Sequence, residues 1–279
     1  MPKPLALTIA GSDSGGGAGI QADVKAMEAN GVFAASALAA VTAQNTETVA
    51  KAHDLPPALV GAQIDAVAED MDVRAVKTGM LSNPEIIDVV VDLIRAHALR
   101  PLVVDPVMIS KTGFKLLKDE AIATLRDELL PQARVITPNV HEAEHLSDVG
   151  TIETVEDLRA AASALLETGP DAVLVKGGHL SCEEEAVDVL VDGDEVHVVS
   201  APRIDTPHTH GTGCTYASAI AANLAKGHSL RTAVERAKRY VTGAIRHALP
   251  LGHGRGPTNH FFHLDAEAAV GDGAGSAER

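Results

Sequence analysis

The segment Leu5-Ala-Leu-Thr-Ile-Ala-Gly11-Ser-Asp-Ser-Gly-Gly-Gly-Ala-Gly-Ile-Gln-Ala-Asp23 decides the fold. An apolar, β-prone run over residues 5–10 stops at a cluster of glycines. A helical pattern then occupies residues 18–30, and a second apolar run covers 33–41. Strand, glycine turn, helix and strand make a βαβ unit, and parallel strands joined by a helical crossover place the chain in the α/β class.

The same alternation extends outward from this unit. Strand patterns are expected at residues 75–78, 102–104, 135–137 and 172–176, and helices near 84–98, 119–129 and 155–168. Runs at 186–191 and 195–200 flank Asp192-Gly-Asp194, the signature of a hairpin. Two helices, 212–226 and 230–247, close the chain, with Gly227 suited to cap the first. Past Ala266 the residues become small and polar, so 1–265 is expected as one domain and 266–279 as a disordered tail.

With 279 residues, 46% of them hydrophobic, the chain can bury one large core. Its formal charge of −15 argues against a nucleic-acid partner, because phosphate backbones call for clustered Lys and Arg. Cys182 and Cys214 are the only cysteines, too few for a disulfide scaffold. The apolar N-terminal run is too short for a signal peptide, and the longest near-apolar run is about half of a membrane helix. These features predict a cytoplasmic protein with no membrane partner.

The glycine cluster lies between a strand and a helix, where missing side chains let a ligand approach the backbone. Gly17-Ala-Gly-Ile-Gln-Ala22 fits the dinucleotide pattern G-x-G-x-x-A, but the acidic residue expected about 20 positions on is replaced by Thr42-Ala-Gln44-Asn45. The plain alternative is a tight turn without a ligand.

A second glycine motif, His210-Gly-Thr-Gly-Cys-Thr215, precedes the 212–226 helix, so amide N–H groups and the positive helix end converge as in an anion site. It is not a Walker A loop. Cys214 would lie in the first helical turn, where the dipole is expected to lower its thiol pKa and allow it to act as a base; a buried inert cysteine is the other reading. Asp105 and Glu142 follow strand patterns, where open α/β sheets bind ligands, and either is a Mg²⁺ ligand or a simple loop or cap carboxylate. Lys176, also at a strand end, either reaches phosphate or runs out to solvent.

Taken together, Ala10 to Asp23, Val41-Thr-Ala-Gln-Asn-Thr46, Lys77-Thr-Gly-Met-Leu81, Val104-Asp-Pro-Val-Met108, Thr137-Pro-Asn139 with Glu142 and Glu144, Val175-Lys-Gly-Gly-His179 and His208-Thr-His-Gly-Thr-Gly-Cys-Thr215 resemble the hydroxymethylpyrimidine/phosphomethylpyrimidine kinases of thiamine biosynthesis. The likeness runs from about Leu5 to Phe262. It implies a ribokinase-like three-layer αβα sandwich with a mostly parallel central sheet, usually a homodimer. The implied reaction moves phosphoryl groups from ATP, with Mg²⁺, onto 4-amino-5-hydroxymethyl-2-methylpyrimidine and then onto its monophosphate. Carried over by position, Gln44 would hydrogen-bond the aminopyrimidine, while Gly11, Asp23, Met80 and Val107 line its pocket. Cys214 would be the base, Gly211, Thr212 and Gly213 the anion hole, Asp105 and Glu142 the Mg²⁺ organisers, and Lys176 the contact to ATP phosphates. Arg255 interrupts a stretch that often reads Gly-His-Gly-Pro in this family.

Three rivals follow from the same residues. A pyridoxal kinase could share the scaffold, the glycine pattern could serve an NAD-dependent oxidoreductase, and a binding-only pyrimidine sensor would need the pocket without the chemistry.

Overall fold

The computed structural model describes residues 3–109, 116–178, 180 and 184–264. In chain order the elements are β1 (Leu5–Ala10), α1 (Gly19–Ala29), β2 (Phe33–Leu38), β3 (Ala40–Gln44), β4 (Val49–Asp54), α2 (Pro57–Ala68), β5 (Val73–Thr78), α3 (Pro84–Ala96), β6 (Leu102–Val104), α4 (Asp119–Thr124), β7 (Val135–Ile136), α5 (Val140–Ser147), α6 (Val155–Leu166), β8 (Ala172–Lys176), β9 (Glu185–Asp192), β10 (Glu195–Pro202), α7 (Thr212–Ala225) and α8 (Leu230–Arg246).

The strands explain the layering. Leu7 and Ile9 of β1, Val76 of β5, and Val173 and Val175 of β8 point to one face of the sheet, while Ala6, Ala75, Ala172 and Leu174 point to the other, and all are buried. Strands apolar on both sides need helices on both sides. The first face is covered by α3, through Ile86, Ile87, Val90, Val91 and Ile94, and by α6, through Leu158, Ala161, Ala162 and Leu165. The second face is covered by α7 and α8, and the alanines of α7 let that helix sit close to the strands while α1 and α8 enclose it. Helix, sheet, helix is the αβα sandwich.

The eight-stranded sheet runs β10-β9-β8-β7-β6-β5-β1-β2. Its pairs from β2 through β8 are parallel, and β9 and β10 are antiparallel, closing on the expected hairpin with Asp192 opposite Glu195. The expected single strand over 33–41 is in fact two. The Ala39 N–H bonds the Ala10 carbonyl and the Ser12 N–H bonds the Ala40 carbonyl, so the chain turns out of the main sheet, and β3 pairs antiparallel with β4 as a separate ribbon. The elements β4, α2 and α5 are additions to the expected alternation. The expected tail at 266–279, and Cys182, lie outside the described residues. No helix among the described residues is long and apolar enough to cross a membrane.

Candidate active site

The parallel strands deliver the chemistry to their carboxyl ends. Gly11 follows β1, Gly79 and Met80 follow β5, Asp105 follows β6, Asn139 follows β7, and Lys176 ends β8. All but Gly79 line a cavity of about 700 Å³, within the ~300–1,000 Å³ range of small-molecule sites.

Gln44 is placed by the glycine-rich turn. Ser14 Oγ donates to the Gln44 carbonyl at 2.7 Å and accepts from the Gln44 N–H at 2.8 Å, and Thr42 Oγ1 donates to the Ser12 carbonyl at 2.8 Å. Asp13 anchors the same turn, accepting from the N–H groups of Gly15, Gly17 and Ala18 and meeting His210 Nε2 at 2.8 Å. Burial works against the Asp13 charge, but the His210 ring and these amides hold its carboxyl below the usual value. Gln44 Nε2 also comes within 3.4 Å of His210 Nε2. One ring nitrogen cannot donate to the carboxylate and accept from the amide together, so the shorter contact takes the proton and the Gln44 amide keeps its donors for the cavity. A side chain on Gly11 would overlap the Met80 methyl, so glycine there makes room for Met80 in the wall.

Helix α7 brings the second glycine motif to the same cavity. Its N-cap, Gly211, has φ +76°, and a Cβ there would overlap the Gly17 carbonyl oxygen; only glycine permits the two loops to meet. Among the described residues, the N–H groups of Gly213 and Cys214 have no backbone acceptor. Free amides at a helix N-terminus form an anion-binding arrangement. A Cβ on Gly213 would stand 3.4 Å from Lys176 Nζ and 3.7 Å from Asp105 Oδ2, which fixes the helix end beside that ion pair.

Lys176 Nζ lies 2.8 Å from Asp105 Oδ1, which also accepts from Thr137 Oγ1 at 3.1 Å. Burial opposes both charges, yet Lys176 and then Lys77 hold the Asp105 carboxyl low, and Asp105 with Glu142 holds the Lys176 ammonium up. Glu142 is the third member of a capping box: it accepts from the Asn139 N–H while its own N–H bonds Asn139 Oδ1. Burial pushes its carboxyl up to about 7, with Asp105 adding and Lys176 opposing. The plain cap reading of Glu142 is therefore true of its geometry, and the same carboxyl group also faces the cavity.

Among the described residues no cluster of three or more His, Cys, Asp or Glu could hold a metal. Two cavity carboxylates, Asp105 and Glu142, still fit Mg²⁺, an ion usually held by one or two carboxylates, by water and by substrate phosphates. A Glu142 carboxyl poised near neutrality would become fully ionised beside a dication.

Two expectations are corrected. Asp23 does not reach the cavity wall; it is wholly buried in α1, where Thr8, Ser218 and Lys77 occupy its oxygens. Lys77 lines the cavity instead. The Cys214 thiol is not lowered by the helix end: burial pushes it up to about 12, against Lys77, with Asp23 and Asp105 adding. Gln44, Met80, Val107, Asp105, Glu142, Lys176, Gly11, Gly211, Thr212, Gly213 and Cys214 all line the one cavity. So do residues that sequence reading left unassigned, among them Lys77, Asp13, His210, His141, His145 and Arg255.

The Phosphomethylpyrimidine kinase family model matches residues 13–259. The chain belongs to this family. A hydroxymethylpyrimidine/phosphomethylpyrimidine kinase of Streptomyces coelicolor is 53% identical over 264 residues, covering 95% of this chain and 97% of that protein. Among solved structures, a phosphomethylpyrimidine kinase from Clostridium difficile is 46% identical with a TM-score of 0.77, covering 87% of this chain and all of that one. An ADP complex of Bacillus subtilis pyridoxal kinase is 39% identical with a TM-score of 0.88, covering 94% and 99%. Members of this kinase family therefore share the mostly parallel sandwich seen here, and the site residues sit where such a sheet binds ligands.

Proposed function

We propose that this protein is an ATP-dependent kinase of thiamine biosynthesis that phosphorylates the hydroxymethyl group of 4-amino-5-hydroxymethyl-2-methylpyrimidine and then phosphorylates the resulting monophosphate to the diphosphate. The observation that carries this reading is a single cavity holding an amide with unspent donors (Gln44), a thiol at a helix N-terminus (Cys214), and a lysine paired with a buried carboxylate (Lys176 and Asp105). Gln44, with Gly11, Met80 and Val107, orients the aminopyrimidine so that its hydroxyl faces Cys214. The Gly211–Thr212–Gly213 turn receives the transferring phosphoryl, through the Gly213 N–H and not the Thr212 N–H, which is spent on the Thr209 carbonyl; Lys176 contacts the ATP phosphates, and Cys214, once deprotonated, accepts the hydroxyl proton. Asp105 and Glu142 would hold Mg²⁺, which when bound neutralises phosphate charge.

A pyridoxal kinase is the second reading, favoured by the likeness to the pyridoxal kinase fold; the higher identity to named pyrimidine kinases favours the first. A coupled assay of ATP consumption with Mg²⁺, offering the pyrimidine alcohol, its monophosphate and pyridoxal separately, separates them. Turnover of both pyrimidines to the diphosphate is expected, and activity on pyridoxal alone would overturn the assignment. A homodimer in the cytoplasm belongs to the same proposal, resting on the family resemblance, and sedimentation of the purified protein tests the dimer.

A further inference from the structure

Lys77 is the largest fully buried side chain among the described residues, and it follows the buried Ala75 and Val76 of β5. Its ammonium is 2.9 Å from both oxygens of Asp23, whose side chain is likewise wholly enclosed. Thr8 Oγ1 and Ser218 Oγ each donate to Asp23 at 2.7 Å, so this carboxylate accepts four hydrogen bonds. Only two of the three ammonium protons are spent on it, and among the described residues Lys77 Nζ has no other acceptor.

The cradle is bonded to the helix that carries the thiol. Ser218 follows Cys214 by four positions on α7, so the two share one helix face, Ser218 a turn deeper. The Lys77 ammonium itself comes up under Gly79, where a Cβ would stand 2.8 Å from Nζ, and both Lys77 and Cys214 line the cavity. A buried ion pair is a poor device for stability, because desolvation of both charges offsets their attraction and an apolar pair of similar volume holds such a core at least as well. Its position against the transfer point supplies another reason for it.

We propose that Lys77 is a positioning residue for phosphoryl transfer: its fixed positive charge, held by Asp23, Thr8 and Ser218, stabilises the negative charge carried by the Cys214 sulfur. This rests on the reading of Cys214 as the base. The charged groups that act on that sulfur are Lys77 from β5, Asp23 from α1, Asp105 after β6 and Lys176 from β8. Lys176 is bound to Asp105, and in the Lys77–Asp23 pair the ammonium keeps one proton unspent and acts on the sulfur more strongly than the carboxylate does. Burial would strip the Lys77 proton, but Asp23, then Cys214 and Asp105, raise the ammonium above its ordinary value, so it contributes charge and not a proton. In the step itself the Cys214 thiol first gives its own proton to solvent; the thiolate then takes the proton of the substrate hydroxyl, that oxygen bonds the γ-phosphorus, and the bond from phosphorus to the ADP oxygen breaks, its electron pair leaving with ADP. Lys77 keeps all three protons throughout.

The test measures the thiol without nucleotide or pyrimidine. In a Cys182→Ser background, where Cys214 is the one remaining thiol, alkylation by iodoacetamide is followed near pH 8 in the parent and in Lys77→Met/Asp23→Asn, which removes both buried charges together. Alkylation is expected to slow about tenfold, with kcat falling ~100-fold and pyrimidine affinity holding within about threefold. Partial unfolding would speed alkylation, so a slower rate has no such explanation. Asp23→Asn alone keeps the cation and removes its partner, and should speed alkylation about threefold with the melting curve still cooperative. Rates within about twofold of the parent in both variants overturn the proposal. A parent protein that shows this charge dependence yet phosphorylates neither pyrimidine supports Lys77 and overturns the substrate reading instead.

Discussion

Lys176 Nζ sits 2.8 Å from Asp105 Oδ1, joining two strand ends 71 residues apart in the chain, and the pair flanks the first turn of α7. Lys176→Met leaves a buried carboxylate with less compensation, so unfolding free energy should drop by about 3 kcal/mol. Lys176→Met/Asp105→Asn should recover most of that loss while remaining inactive. Urea melts of both variants decide it; a single variant as stable as the double means the pair carries no such charge balance.

Cys214→Ala removes a group used in proton transfer and not in ground-state binding. Turnover should fall ~100-fold or more, with the pyrimidine Kd from calorimetry within about threefold of the parent. Unchanged kcat would refute the role of base.

Gln44→Ala should do the reverse. Losing an amide partner weakens pyrimidine binding by ~1 kcal/mol, about fivefold in Kd, while saturated turnover stays near normal. Equal affinity in the variant would remove Gln44 from recognition.

Gly211→Ala combines a positive φ with overlap on the Gly17 carbonyl, so it should destabilise by more than ~2 kcal/mol and misplace the α7 N-terminus. Gly178→Ala is the control, because among the described residues nothing lies within 4 Å of its added methyl and its φ is not in the left-handed region. Its stability should change by less than ~0.5 kcal/mol. Comparable losses in the two variants would contradict the packing described for Gly211.

Two buried groups titrate in opposition. Glu142, raised by burial from 4.5 to about 7, favours the folded state when protonated; its contribution is complete below 4.5 and disappears as pH rises through 7. His260, 4% exposed and bonded to Thr215 Oγ1 at 3.0 Å, is lowered by burial, with Lys25 adding, from 6.5 to about 4. Its contribution is complete above 6.5 and is lost as pH falls through 4. Between about pH 7.5 and 5, relative to the parent, Glu142→Gln should therefore lose stability on acidification and His260→Gln should gain it, each by on the order of 1 kcal/mol. Urea melts at the two pH values give the sign directly, and parallel profiles for all three proteins would count against both assignments.

What the sequence alone determined follows from short-range pattern. Apolar runs of strand length alternating with amphipathic helices define a parallel sheet with helices on both faces, and residues just past such runs must stand at its carboxyl edge. That places Asp105, Lys176, Gly11 and the His210–Thr215 motif near one another without coordinates. The capping box of α5 was also legible in principle, as Asn139 followed three residues later by Glu142. The β3–β4 ribbon was not, because its strands are short, partly exposed and outside the main sheet, so no alternation with a helix announces them.

Only the tertiary structure decided which charges meet. Lys77 has no assignment from sequence, and Asp23 is placed in the pocket only by the family resemblance. Folding closes a gap of 54 residues between them, removes both from water and turns Asp23 away from the cavity and Lys77 toward it. The same holds for the Cys214 thiol, which a helix end by itself would lower and which the surrounding low-dielectric wall raises. Periodicity reports which way a side chain faces; desolvation and pairing depend on what long-range packing sets opposite it.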